Sequence, residues 1–493
     1  AQARVRSERM HVTLTKVVTC ILGLAVAMAA GAGTVGSQDA PTVQRRDIGQ
    51  VFLGLDADLA GFTGQDEGWR AWNRRFDRVA WQFFQGKLLD ASDDMAALRA
   101  DVLGLQGDDA VAFRVVSSLR PVLDDPLARD TSVRVEGLWP VAVAAGRTIV
   151  ATLDLGPEFA PIAIRVDCDD VGRARTVGLD LPELPDESPE ARVTILAANG
   201  HPCATVAWTP SDESWDERRE RLLKVVAEVE DPGLAPSLRE FRERCEWLVA
   251  DPNARRSLHV LSSPRAYWDA LESEAFELAS GRDPYRNELV AGHRLLWRSI
   301  AVGRREVYTV QRIAPVKSAE DLRPLVIALH GAGGDEAFFA RAGGGGMLVD
   351  LSREHGFHLI CPNTYQLLYD MPAFDAIVDD ALKRYPVDPE RIYVMGHSLG
   401  GITTSTIVNL RADRVAAGCC IAGARRLKVE VPVLLQAAEL DTIFPIEDFR
   451  RDAQIARDDG LPATLEEHAD TGHVLILGPA LRRALQFFGL VTD

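Results

Sequence analysis

At 493 residues the chain exceeds what one ordinary core encloses and predicts roughly two to four domains. A composition of 47% hydrophobic and 26% charged residues is globular and excludes fibrous and disordered classes. The formal net charge of −17 leaves a nucleic-acid partner no basic footprint.

The first segment carries Lys16 after Met10, then the apolar run Val17 to Ala30 and small residues through Gly36. That order predicts a signal peptide over 1–37 and a secreted or periplasmic protein. An apolar core of this length falls short of the roughly 20 residues of a membrane span, and an uncleaved N-terminal anchor is the alternative. Residues 38–50 read as a polar linker.

Within Asp66 to Leu89, Trp69, Trp72, Phe76, Ala80 and Phe83 recur at helical spacing, which predicts a helix burying one face. Ser92 to Leu105 and Asp108 to Leu123 continue the pattern, giving a helical region over 38–130. The texture then changes. Val133-Arg134-Val135, Thr148 to Leu153, Ile162 to Val166 and Arg192 to Leu196 are short β-type runs separated by turn residues. They predict a small β-sandwich-like domain over 131–210, suited either to carbohydrate contact or to spacing. A second helical region covers 211–288, with apolar faces in Leu238 to Val249 and Tyr267 to Leu278.

Of the seven cysteines, Cys20 falls in the signal segment, and Cys168 and Cys203 are the expected disulfide pair. No cysteine–histidine cluster has metal-ligand spacing, so no metal is expected. From 289 to 493, Arg294 to Ile300 and Glu306 to Ile313 form an opening hairpin, after which strands alternate with helices. The alternation predicts an α/β domain with a mostly parallel sheet covered on both faces.

The chemistry concentrates in that last region. Ile392 to Met395 is a short apolar strand and Gly400 opens a helix, so Gly396-His397-Ser398-Leu399-Gly400 is a strand-to-helix turn with a serine at its apex. A serine nucleophile needs a base, and the base needs an orienting carboxylate. Val431 to Gln436 is a strand that leads to Asp441, the expected acid, with Glu439 as the rival. Thr471-Gly472-His473 places the expected base on a glycine-flanked loop, with His468 as the alternative. An oxyanion hole needs two backbone N–H donors. Leu399, directly after the serine, is one; Ala332 in His330-Gly331-Ala332-Gly333-Gly334 is the other, with Gly333 beside it. His330 is read as a turn-stabilising residue. The run Gly343 to Gly346 is read evenly as a mobile loop near the site or a solvated linker.

With Leu329 to Gly334, Asp388 to Gly401, Asp441-Thr442 and Gly472-His473 in this order, the stretch from 290 to 493 resembles the α/β-hydrolase superfamily. It looks closest to secreted esterases related to polyhydroxybutyrate depolymerases and feruloyl esterases, and to prolyl-oligopeptidase-like hydrolases. The lead-in Asp388-Pro389-Glu390-Arg391-Ile392-Tyr393 is the most specific match. The resemblance implies a serine hydrolase acting on small-molecule or polymer-linked esters through an acyl-enzyme, with no cofactor. A prolyl-oligopeptidase-like peptidase is the runner-up, and a non-catalytic binding protein on the same fold is the third reading. Residues 38–288 resemble no family.

Overall fold

The computed structural model describes residues 43–492 apart from 61, 63–65, 125–130, 144–145, 158, 184–190, 209–212, 214, 246–263, 285–294, 304, 319 and 369. The signal peptide expected over 1–37 lies outside the described residues.

The linker expectation for 38–50 is corrected by helix α1 (Arg45–Leu59). Its apolar positions Ile48, Val51, Leu55 and Leu59 recur every three or four residues and are buried. Asp47 closes the first turn by accepting from the Gln44 N–H at 2.7 Å. Charged and polar neighbours at 44–50 hid the stripe. Helices α2 (Trp69–Phe84), α3 (Leu88–Val102) and α4 (Gly107–Ser117) follow. Helix α4 ends early: Leu119–Leu123, expected to prolong it, is strand β1. Pro121 lacks the N–H that a helix would need there, and β1 sits at a sheet edge, where proline is tolerated.

Six more strands complete this part: β2 (Ser132–Gly137), β3 (Thr148–Asp154), β4 (Ile162–Asp167), β5 (Val177–Asp180), β6 (Ala191–Leu196) and β7 (Pro202–Trp208). They form two antiparallel sheets, ordered β1-β2-β5 and β4-β3-β6-β7. Alternate residues such as Ile149, Ala151 and Leu153 point inward. Both sheets and helices α1–α4 share a single apolar core, which also takes in Leu475 from the far end of the chain.

The expected Cys168–Cys203 disulfide is absent; both are buried free thiols. Cys168 follows edge strand β4 and Cys203 lies on the opposite edge strand β7 of the same sheet. Three strand spacings, roughly 14 Å, separate those edges, beyond the reach of a disulfide.

Helices α5 (Trp215–Val225), α6 (Ala235–Cys245) and α7 (Pro264–Ala279) lead to the second body. Its antiparallel hairpin is β8 (Leu295–Val302) and β9 (Arg305–Arg312). Then come β10 (Arg323–Leu329), α8 (Phe338–Arg341), α9 (Met347–His355), β11 (His358–Pro362), α10 (Met371–Arg384) and β12 (Val387–His397). The chain closes with α11 (Leu399–Leu410), β13 (Ala417–Ile421), β14 (Val433–Ala438), α12 (Ile446–Asp458), β15 (Ala463–His468) and α13 (Leu477–Phe487).

The eight strands run in the order β15-β14-β13-β12-β10-β11-β9-β8. All pairings from β11 across to β15 are parallel. Strand β10 buries Val326 and Ala328 against one face, with α9 and α13, and Leu325, Ile327 and Leu329 against the other, with α10 and α11. Helices α5–α7 pack into the first of these cores. After β10 the chain lays β11 on one side and then crosses to lay β12 on the other. Such a reversal opens a crevice at the carboxyl ends of the strands, where ligands bind in open α/β sheets. This C-terminal part has the α/β-hydrolase fold.

Candidate active site

The crevice is where the predicted site residues meet. Strand β12 ends at His397 and helix α11 begins at Leu399, leaving Ser398 alone on the turn with φ 55° and ψ −113°. A positive φ is strained for a side chain-bearing residue, and here the surroundings enforce it. The Ser398 N–H donates to the Ile421 carbonyl of β13 at 2.8 Å. The flanking glycines have no room for side chains: a Cβ on Gly396 would lie 2.4 Å from the Gly400 backbone, and one on Gly400 1.9 Å from the Leu329 carbonyl oxygen.

Strand β14 leads to Asp441, the expected acid. Asp441 lies in the loop beyond Ala438, and its Oδ1 accepts from the N–H groups of Ile443 and Phe444, both at 2.8 Å. Its Oδ2 accepts from Nδ1 of His473 at 2.7 Å, which fixes the imidazole tautomer with the proton on Nδ1. Nε2 is thus left to accept from the Ser398 hydroxyl, 2.9 Å away. All three side chains are at most 5% exposed. The Phe444 ring stacks on the imidazole at 5.8 Å between centroids. Burial pushes the His473 pKa down, but the charge and hydrogen bond of Asp441 and the charge of Asp77 outweigh it, so the net shift is upward.

Glu439, the rival acid, is engaged elsewhere: it pairs with Arg70 at 3.3 Å and accepts from the Asp470 N–H at 2.9 Å. His468 is half-buried, and its Nε2 bonds Oε1 of Gln436 at 2.9 Å. The His330–Gly334 loop lies directly against the serine, since a Cβ on Gly331 would sit 3.3 Å from Ser398 Cβ. The N–H groups of Leu399 and Ala332 make no hydrogen bond among the described residues. The Gly333 N–H, in contrast, donates to the Tyr365 hydroxyl at 2.7 Å. His330 braces this turn, with Nδ1 against the Gly331 carbonyl at 2.8 Å and Nε2 accepting from the Thr364 N–H at 2.9 Å.

Gly343 to Gly346 meets the N-terminal part of the chain. All four have positive φ, and the Gly344 and Gly345 N–H groups donate to Asp56 of helix α1 at 3.2 and 2.7 Å. The run is a seat for a carboxylate from the N-terminal part.

Three contributors escaped the sequence reading. His397 Nε2 donates to the His473 carbonyl at 2.7 Å; burial drives its pKa down to about 3, so it is a neutral donor. Asn73 Oδ1 accepts from the Gly472 N–H at 2.6 Å, and Asp77 Oδ2 from the His473 N–H at 3.0 Å. A signal for the last two was present: both interrupt the buried stripe of Trp69, Trp72 and Phe76 with polar side chains. Among the described residues, no group of three His, Cys, Asp or Glu side chains is placed to hold a metal ion.

No family model matches this sequence, and no curated relative matches it. Solved structures similar to it include the S-formylglutathione hydrolase of Staphylococcus aureus, at 16% identity, 40% of this chain, 97% of that chain and a TM-score of 0.33. A ferulic acid esterase is 14% identical over 40% of this chain and 97% of that chain, with a TM-score of 0.34. Esterase 2 of Thermogutta terrifontis is 13% identical over 40% of this chain and 96% of that chain, with a TM-score of 0.33. Each of these similarities spans about 40% of this chain and nearly the whole of the other.

Proposed function

We propose that the chain is a serine hydrolase that cleaves carboxylic esters through a Ser398–His473–Asp441 triad. The observation that carries the proposal is the unbroken relay of 2.9 Å from Ser398 Oγ to His473 Nε2 and 2.7 Å from His473 Nδ1 to Asp441. His473 takes the Ser398 proton as Oγ attacks the ester carbonyl carbon. The imidazolium is stabilised by Asp441, and the Leu399 and Ala332 N–H groups receive the oxyanion, each worth about 3 kcal/mol when aligned. Collapse of the tetrahedral species expels the alcohol, which takes the proton from His473. Water, deprotonated by the same imidazole, then releases the acid from Ser398.

An ester is favoured over a peptide because the region before the hydrolase body is helices and two small antiparallel sheets, with no bladed propeller among the described residues to gate peptides. Export belongs to the same proposal and rests on the Val17 to Ala30 run alone.

The test is turnover of short-chain p-nitrophenyl esters, read beside peptide p-nitroanilides. Ester turnover is expected, and peptide turnover without it would favour the peptidase reading. The pH profile adds a sign. The base must be neutral, and its pKa is raised, so kcat/KM falls on the acid side with an apparent pKa above the ordinary histidine value of about 6.5. An acid limb well below that value would contradict the assignment of His473.

A further inference from the structure

We propose that helix α2 is part of the catalytic apparatus, with Asn73 and Asp77 as positioning residues that set the His473 imidazole against Ser398. This rests on the serine-hydrolase reading for its consequence in turnover, though not for its geometry.

Trp69, Asn73 and Asp77 stand four residues apart and so share one face of the helix. They meet three consecutive residues of the histidine loop. Trp69 Nε1 donates to Thr471 Oγ1 at 3.4 Å, Asn73 takes the Gly472 N–H at 2.6 Å, and Asp77 takes the His473 N–H at 3.0 Å. At the exposed end of the same face, Arg70 pairs with Asp470 and Glu439. The approach is so close that a Cβ on Gly472 would stand 2.7 Å from Asp77 Oδ2.

The two sides of the His473 backbone are therefore held by different parts of the chain. His397, beside the nucleophile, holds the carbonyl at 2.7 Å, and Asp77, nearly 400 residues from it in sequence, holds the N–H. A loop pinned at both peptide groups cannot swing the imidazole off the serine hydroxyl, and misplacement of a reacting group by 1 Å costs on the order of 100-fold in rate.

Asp77 also brings a charge where packing alone would not choose one. It is 7% exposed, and its Oδ1 makes no hydrogen bond among the described residues. A neutral side chain would fill the space without that desolvation cost. The groups facing His473 are Asp441 from the β14 loop, Asp77 from α2 and the neutral His397 from β12; Arg70, Glu439 and Asp470 lie at the loop's solvent edge. Burial raises the Asp77 pKa to about 6, against the opposing His473 N–H and charge, so its carboxylate is ionised above that pH.

Four proteins test this: wild type, Asn73→Ala, Asp77→Asn and Asp56→Ala. The last loosens the same N-terminal contact at Gly344 and Gly345, away from His473. The rate of covalent labelling by a fluorophosphonate is measured against pH, together with kcat and KM on a p-nitrophenyl ester. Asn73→Ala is expected to label and turn over about 10- to 100-fold more slowly, with KM little changed. Asp77→Asn is expected to move the acid limb to lower pH, because losing a negative neighbour makes the imidazolium easier to deprotonate. Asp56→Ala should behave as wild type. Wild-type rates and an unmoved limb in the first two variants would overturn the proposal, as would an equal loss in Asp56→Ala. NMR titration of His473, assigned with His473→Gln, reads the same variants without substrate. A lowered His473 pKa in Asp77→Asn with no labelling of wild type would refute the hydrolase reading alone, and an unchanged one would refute the positioning role.

Discussion

Ser398→Ala is expected to lower kcat/KM for ester hydrolysis by about 10⁴- to 10⁶-fold, with the fold intact. The substitution removes one oxygen whose hydrogen-bond partner is His473, and leaves the strained turn otherwise as it is. The imidazole keeps its bond to Asp441, and the proposed oxyanion donors Leu399 and Ala332 are untouched. Binding and oxyanion stabilisation therefore survive without a nucleophile, which is why a residual rate of roughly 10³-fold over water would remain. Stopped-time assays at high enzyme concentration, with thermal unfolding as the control for structure, measure it. Activity within tenfold of wild type in a folded variant would remove Ser398 from the mechanism.

Gly400→Ala is expected to be the most damaging single methyl group in the hydrolase body. The new Cβ would fall 1.9 Å from the Leu329 carbonyl oxygen and 2.9 Å from that of His330. Both contacts are backbone, at the end of β10, where the His330–Gly334 loop begins, so no side-chain rotation relieves them. Overpacking costs of about 3 kcal/mol or more follow, against a total stability of about 5–15 kcal/mol. The observable is a melting temperature lowered by about 6–12 °C, or loss of soluble protein. Any protein recovered should also turn over slowly, since the same clash drives Leu399 and Ala332 apart. A melting temperature within 1–2 °C of wild type would show that the β12–α11 turn is looser than its geometry states.

What the sequence made legible was what is local. Ser398 could be read because the turn that carries it demands glycine two residues to either side, a constraint written within five residues. Asp441 and His473 could be read because each follows a strand, and strand ends of a parallel sheet converge on one edge. The rest depended on contacts with no local trace. Ile48, Val51, Leu55 and Leu59 carry a helical stripe, but polar residues at 44–50 mask its start and give the segment the texture of a linker. Leu119 to Leu123 continued an apolar pattern whose change from helix to strand turned on Pro121. Cys168 and Cys203 looked like neighbours because strand order is not written in strand sequence, and the sheet sets them at opposite edges. The four glycines at 343–346 announced unusual backbone, yet their partner Asp56 lies almost 300 residues away. Asn73 and Asp77 are the instructive case. Polar residues inside a buried aromatic stripe were a visible anomaly, and their reason is the histidine loop.

Activation of Ser398 by His473 is tested by covalent labelling. Wild-type protein is treated with a fluorophosphonate, digested, and the adduct located by peptide mass spectrometry. A single stoichiometric adduct on Ser398 is expected, abolished in His473→Ala although the serine is still present. An unmodified Ser398, or an adduct formed equally fast without His473, would contradict it.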